Sequence, residues 1–77
     1  MLSAKEVCRL EADMLNKFMS TITPRSRRFF ITKVMEKAGL PRRNFYNWAY
    51  AHSRIPVHAK VIIEREAHCH VFDYIEE

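Results

Sequence analysis

The chain carries, in residues 26–56, the run SRRFFITKVMEKAGLPRRNFYNWAYAHSRIP. Before its single glycine, the apolar residues follow a helical period; they are Phe30, Ile31, Val34, Met35 and Ala38. Gly39 suits the left-handed conformation in which many helices end, and Pro41 suits the first turn of a new helix. The run therefore predicts two helices joined by a short turn, the first beginning near Ser26 and the second over residues 41–51.

The second of these helices has two different sides. Phe45 and Trp48 fall on one side, together with Ala49 and His52. The other side carries Arg43, Tyr46, Asn47 and Tyr50, with Arg42 and Asn44 at its edges. We expect the first side in the core. The second side either contacts a partner or is an ordinary solvent face, and its lack of acids favours a partner.

Two further helices flank this pair. Ser3 followed by Glu6 is a capping box, which predicts a helix over residues 3–22 with a broad apolar stripe that includes Met14, Leu15, Phe18, Met19 and Ile22. A fourth helix is expected over about 57–69, and the tail, 70–77, either extends it or forms a short strand. Phe29 lies off the apolar face of its own helix, so it either packs on the first helix or is exposed. The fold class expected is all-α: one compact domain, 1–77, of four to five helices.

Length and composition exclude several classes of protein. With 77 residues and 48% hydrophobic residues, the chain suits one small globular domain and not a disordered segment. Its two cysteines are too few for a secreted disulfide scaffold, no apolar run approaches the roughly 18 residues of a membrane span, and no signal-peptide pattern opens it. These features predict a soluble cytoplasmic protein with no membrane partner.

The net charge of +4 is unevenly distributed along the chain. Residues 1–24 carry no net charge, residues 25–60 carry +8 with Glu36 as their one acid, and residues 61–77 carry −4. Like charges at this density repel one another, and a polyanion would relieve that repulsion. The central segment thus favours a nucleic-acid partner over a plain solvated surface.

At the turn between the second and third helices, the sequence resembles the phage repressor/Cro-like helix-turn-helix family. The resemblance covers about residues 26–68 and is carried by Val34, Ala38, Gly39, Leu40, Phe45, Trp48 and the Arg54-Ile55-Pro56 turn. It implies a lambda-repressor-like fold and a transcriptional regulator, a repressor of prophage or mobile-element type, encoded by a bacterium or phage. The implied partner is double-stranded DNA, read in the major groove by helix 41–51.

The hydrogen-bond donors on the outward side of helix 41–51 suggest which part of DNA each residue would contact. Arginine matches the major-groove edge of guanine and asparagine that of adenine, so we expect Arg43 and Asn47 to read bases. We expect Tyr46 and Tyr50 to contact bases, thymine methyl groups or phosphates. The residues expected to hold the phosphate backbone are basic ones in the central segment: Arg25, Arg27, Arg28, Lys33, Lys37, Arg42 and Arg54.

Other activities have weaker signals. His68-Cys69-His70 looks like a metal-binding triplet, but alternate residues of a helix point in different directions, and structural zinc takes four ligands. No nucleophile stands at a recognisable spacing from a base, so we expect no enzyme, no small-molecule substrate, no metal and no cofactor. The alternative function is a helical protein-interaction module with an incidental basic face, and a weaker variant makes RNA the ligand, although the usual RNA modules have glycine-rich loops or an aromatic platform on a β-sheet that this sequence lacks. A homodimer formed through the first helix or the C-terminal segment is a further possibility that stays open.

Overall fold

The computed structural model of the chain describes residues 3–72 and shows four α-helices in that range. They are α1 (Ala4–Met19), α2 (Pro24–Ala38), α3 (Arg42–Ala49) and α4 (Val57–Ala67). No strand occurs among residues 3–72, and the expected all-α class is confirmed.

The predicted capping box begins α1. The Glu6 amide donates to the Ser3 hydroxyl at 3.2 Å, and the Ser3 amide donates to the Glu6 carboxylate at 3.3 Å. The helix ends at Met19, three residues before the expected end at Ile22. It stops there because the hydroxyl groups of the next two residues donate back to carbonyl oxygens of its last turn, at 2.7 and 2.6 Å.

The second helix begins two residues earlier than expected. Thr23 is its N-cap and accepts a 3.2 Å hydrogen bond from the Ser26 amide, while Pro24 occupies the first turn, where a missing amide costs nothing. It ends at Ala38, and Gly39 takes the expected left-handed conformation with φ of 68°. The Gly39 amide and the one after it donate back to the last turn, as in many glycine-terminated helices.

The third helix is shorter than expected at both ends. Pro41 is its N-cap in extended conformation and not its first helical residue. After Ala49 the chain reverses at Ala51, which has a φ of 61°, and the His52 amide closes the turn on the Asn47 carbonyl oxygen at 2.8 Å.

The fourth helix ends at Ala67, two residues before expectation, because His68 turns left-handed with φ of 58°. The chain then folds back. The amides of Val71 and Phe72 each donate to the Glu64 carboxylate at 3.1 Å, and both side chains are buried, so this part of the tail is neither helix nor strand. The remainder of the tail, 73–77, lies outside the described residues.

One core joins the four helices. α2 packs against both α3 and α4, and α1 packs against α3. Phe45 and Trp48 are each 3% exposed, which confirms that these two residues of α3 face inward. Ala49 is half-buried, and His52, expected on the same side, is exposed because α3 ends before it. The core also contains Leu15, Met19, Phe30, Ile31, Val34, Met35, Ile55, Ala59, Ile63, Val71 and Phe72.

The longest of these helices, α1, has 16 residues. None of the helices within residues 3–72 combines the length and the apolar composition that crossing a bilayer demands.

Candidate nucleic-acid interface

Burial of one side of α3 leaves the residues of its other side facing outward, and we call these residues the outward stripe. With Phe45 and Trp48 in the core, Tyr46 and Tyr50 are left 42% and 68% exposed, and Arg43 is exposed beside them. Asn47 lies at the edge of the stripe and is half-buried. The structure therefore brings the four residues expected to read bases onto one side of one helix, three of them open to solvent.

The C-terminal end of α3 is held in place by α1. The Asn16 side-chain amide donates to the carbonyl oxygen of Ala49 at 2.9 Å, a bond that spans 33 positions of the chain. Since carbonyl groups in the last turn of a helix have no partner within the helix, this bond satisfies one of them and fixes the position of α3 against α1. The stripe therefore belongs to a helix whose position against α1 is fixed.

A groove of about 280 Å³ runs beside the stripe, between α1, α2 and α3. Tyr46 and Tyr50 line one wall, Arg27 and Ile31 line the α2 wall, and Asn16 belongs to α1. The tyrosine rings therefore have both an apolar floor and polar neighbours, a setting that suits contact with a ligand that is itself partly apolar and partly polar.

The basic residues expected to hold phosphates divide into two groups. Four of the seven already contact parts of the protein. Arg27 Nε donates to the Met19 carbonyl oxygen at 2.6 Å, Arg54 pairs with Glu11 at 3.3 Å, Lys37 pairs with Glu66, and the Lys33 ammonium lies 5.6 Å from the centre of the Phe29 ring.

The remaining three, Arg25, Arg28 and Arg42, are exposed and, like Arg43, form no ion pair with any acid of residues 3–72. Arg28 is exposed on α2 next to Arg27, which lines the groove beside α3. Arg42 and Arg43 stand at the beginning of α3, whose amino end has no side-chain cap. Arg28 and Arg42, together with Arg43 of the stripe itself, form a basic border beside the stripe, whereas Arg25 lines a different groove on the side of α2 that faces α4.

Lys33 and Lys37 lie elsewhere. Lys33 lines a different groove together with Glu66 of α4, and Lys37 is bound to that same carboxylate. The hydrogen bond from Lys37 lowers the pKa of Glu66 more than its modest burial raises it. The central basic segment is therefore split by the fold, because three of its cations, Arg25, Lys33 and Lys37, lie on the α4 side of α2.

A buried charge cluster, not expected from the sequence, connects α1 to α4. Glu11 and Lys60 are both fully buried and form an ion pair, and the Glu11 carboxylate also accepts hydrogen bonds from Arg54 at 3.3 Å and from the Ile55 amide at 3.1 Å. Burial alone would raise the pKa of Glu11, but the hydrogen bonds from Lys60, Arg54 and the Ile55 amide outweigh it and hold the pKa below its usual value.

The sequence does contain a signal for this cluster. Glu11 lies four positions after Val7 and four before Leu15, in the middle of the apolar stripe of α1. Lys60 likewise lies beside Ala59 and three positions before Ile63, on the buried side of α4. An acid on one buried helix face and a base on another are expected to pair, because an unpaired charge in a core is very costly.

The histidines near the C-terminus do not converge on a site. His70 Nδ1 lies 3.5 Å from the Glu64 carboxylate, while His68 ends α4 and Cys69 is an exposed free thiol. Within residues 3–72, no three side chains of His, Cys, Asp or Glu are grouped closely enough to hold a metal ion.

Comparison with protein-family models, with curated proteins and with solved structures finds no match.

Proposed function

We propose that the chain is a sequence-specific double-stranded DNA-binding transcriptional regulator, similar to phage repressors of the Cro-like type, and that it acts by occupying its DNA site. The observation that carries the proposal is the outward stripe of α3. It presents Arg43, Tyr46 and Tyr50 with Asn47 at its edge, and α3 itself contains no acid.

The dimensions of α3 suit the major groove of DNA. An α-helix with its side chains is about 10–12 Å in diameter, which fits the roughly 12 Å width of that groove, and the eight residues of α3 make it about 12 Å long. The guanidinium group of Arg43 can donate two parallel hydrogen bonds to guanine, and the amide of Asn47 can pair with adenine in the same bidentate way. The tyrosines add apolar contact and a hydroxyl group to the same surface.

Phosphate contacts would position α3 in the groove. Arg28 and Arg42 suit this role best, because they border the stripe and pair with no acid of the described chain. The unpaired amides at the beginning of α3 favour an anion at the same end. Lys37 and Arg54 would have to exchange their carboxylate partners for phosphate, so we expect them to contribute less.

Two substitutions separate base reading from phosphate binding. The preferred sequence is first selected from a random duplex pool with the unmodified chain, and affinities for it and for its single-base variants are then measured. We expect Arg43→Ala to lose about 1–3 kcal/mol of discrimination at one base pair. Arg28→Ala is expected to weaken binding to all sequences alike and to reduce the slope of log affinity against log salt by about one.

Lys5→Ala is the matched control, because it also removes one exposed cation. Lys5 lies 11 residues from Asn16 on α1, so about 16 Å of helix separates it from the contact with α3. An Arg43→Ala chain that keeps full base discrimination, or a duplex affinity that does not change with salt, would contradict the proposal. The first result would remove Arg43 from base reading, and the second would favour the protein-interaction module.

A further inference from the structure

An exposed phenylalanine borders an apolar groove on the side of α2 that faces α4. Phe29 is 66% exposed, so it does not pack on α1. The groove has a volume of about 550 Å³, and its apolar walls are Phe18, Ile22, Phe30 and Ala67. Its floor is already packed, because the ring centres of Phe18 and Phe30 lie 5.2 Å apart. We call the exposed ring and the recess beside it the Phe29 face.

The border of the Phe29 face carries an excess of positive charge. Arg25 and Lys33 line it from α2 and form no ion pair with any acid of residues 3–72. Glu66 lines it from α4, but the ion pair with Lys37 already offsets its charge. Two cations therefore remain for a partner that carries carboxylates, and they would repel a partner that carries cations.

The length of the groove suits a helix. The residues of α2 that line it run from Arg25 to Lys33, eight positions that extend about 12 Å. Two turns of a partner helix cover nearly the same length, about 11 Å. Phe29 lies midway between the two cations, one turn from each. Apolar side chains of a partner helix would therefore meet the ring and the recess, while carboxylates two turns apart would meet Arg25 and Lys33.

Duplex DNA suits the Phe29 face less well. Phosphate oxygens accept hydrogen bonds from N–H groups and offer an exposed aromatic ring no apolar contact. The groove is walled by apolar side chains, and α3, residues 42–49, contributes nothing to it. A partner bound there would leave the α3 stripe open.

We infer that the Phe29 face binds an acidic amphipathic helix of another protein. The apolar side of that helix enters the recess beside Phe29, and carboxylates at the edge of that side pair with Arg25 and Lys33. The apolar contact supplies affinity, and the charge pairs select an acidic helix over a basic one. This binding does not depend on the proposed function, because the α3 stripe takes no part in it.

Two designed peptides of about 15 residues, long enough to form a helix, test the chemistry of the partner. Both carry leucine at positions i, i+3, i+4 and i+7; one has glutamate at the flanking positions, and the other has lysine there. Fluorescence anisotropy of each labelled peptide, titrated with the full chain, measures the affinity. We expect the glutamate peptide to bind at least about tenfold more tightly at low salt, and the difference to shrink as salt rises.

Substitutions assign the binding to this face. Phe29→Ser should weaken binding of the glutamate peptide about tenfold, because the complex loses a buried ring. Arg25→Glu combined with Lys33→Glu should reverse the preference, so that the lysine peptide binds more tightly than the glutamate peptide. All three side chains border the groove from the surface of α2, and circular dichroism of each variant confirms that the helices are retained.

Two variants serve as matched controls. Tyr50→Ser removes a ring that is 68% exposed on the α3 stripe. Lys5→Glu reverses an exposed cation that lies 13 positions before Phe18, about 20 Å along α1 from the groove. Both variants should bind the glutamate peptide as tightly as the unmodified chain does.

Three results would overturn the inference. Equal affinity for the two peptides would show that the charges at the border select no partner, and an unchanged affinity of the Phe29→Ser chain would place the peptide elsewhere. A mass that rises with protein concentration in sedimentation equilibrium, and that Phe29→Ser returns to that of one chain, would assign the face to a second copy. None of these results bears on DNA binding, which is measured separately through Arg43 and Arg28.

Discussion

Three residues of the described chain have positive φ angles, and each lies just beyond the end of a helix. They are Gly39 at 68°, Ala51 at 61° and His68 at 58°. A residue with a Cβ atom is disfavoured in this conformation by about 1 kcal/mol or more, whereas glycine is not. Only the first position has the residue that suits it. A Cβ atom on Gly39 would meet nothing within 4 Å, so the requirement for glycine there is one of backbone conformation and not of space.

Exchanging the residue type at two of these positions should shift stability in opposite directions. We expect Gly39→Ala to lower the free energy of unfolding by about 1 kcal/mol, and Ala51→Gly to raise it by a similar amount or somewhat less. Urea unfolding followed by circular dichroism measures both changes. We expect the slope of the free energy of unfolding against urea concentration to stay the same. Equal stability of the Gly39→Ala chain would show that α2 can end without a left-handed residue.

At the scale of the elements, the ion pair of Glu11 with Lys60 holds α1 against α4. The two residues are 0% exposed, and the Lys60 ammonium also lies 5.9 Å from the centre of the Phe72 ring. The same carboxylate binds Arg54 and the Ile55 amide, so it also fixes the loop that leads from α3 into α4. Loss of one partner would leave the other charge buried and uncompensated.

Single and double substitutions should therefore have opposite consequences. Glu11→Gln is expected to destabilise the chain by about 3 kcal/mol, because the Lys60 charge loses its counter-charge in the core. The double variant Glu11→Leu with Lys60→Met should recover part of that loss, since it removes both buried charges and keeps apolar volume, while the Ile55 amide and Arg54 lose their acceptor. Urea unfolding of the three chains at neutral pH is the measurement. A double variant less stable than Glu11→Gln would contradict this account.

The pH dependence of stability gives a second measure of the same contact. The pKa of Glu11 is lower in the folded chain than in the unfolded chain. The stabilisation is therefore complete above the unfolded pKa of about 4.3 and is lost as the pH falls through the lower folded pKa. We expect the free energy of unfolding of the double variant to decrease less steeply as the pH falls, because the leucine at position 11 binds no proton.

At the scale of the whole molecule, the acids of residues 61–77 have different roles. Glu64 accepts hydrogen bonds from two tail amides, and Glu66 pairs with Lys37, so both have partners within the fold. Asp73, Glu76 and Glu77 supply the remaining negative charge of that segment. Their repulsion of DNA phosphates would oppose indiscriminate binding through the basic border of α3.

Neutralising these three acids tests that role. We expect the chain with Asp73→Asn, Glu76→Gln and Glu77→Gln to bind random duplex several-fold more tightly at low salt. The difference should close as salt rises, because exposed charges are screened over about 10 Å at 0.1 M ionic strength. Replacing the paired Glu66 is not equivalent, since it would also free Lys37. Unchanged affinity at low salt would assign these acids no part in limiting DNA binding.

Most of the positions of the helices can be predicted from the amino-acid sequence. The capping box at Ser3, the glycine after α2 and the two sides of α3 follow from interactions within a few residues, and all three occur in the structure. The helix ends differ from expectation by up to three residues, because hydroxyl groups and left-handed residues close the last turns earlier than apolar periodicity indicates. The four residues expected to read bases share one side of α3 for the same local reason.

The partners of the charged side chains depend on the packing of distant segments. Glu11 and Lys60 are 49 positions apart, and Lys37 and Glu66 are 29 apart, so no local pattern specifies that they meet. The helical period orients each side chain about its own helix axis, whereas the contact between two helices depends on how their buried faces fit. That fit places Arg28, Arg42 and Arg43 near the exposed side of α3 and Arg25, Lys33 and Lys37 on the α4 side of α2, and it leaves Phe29 at the surface.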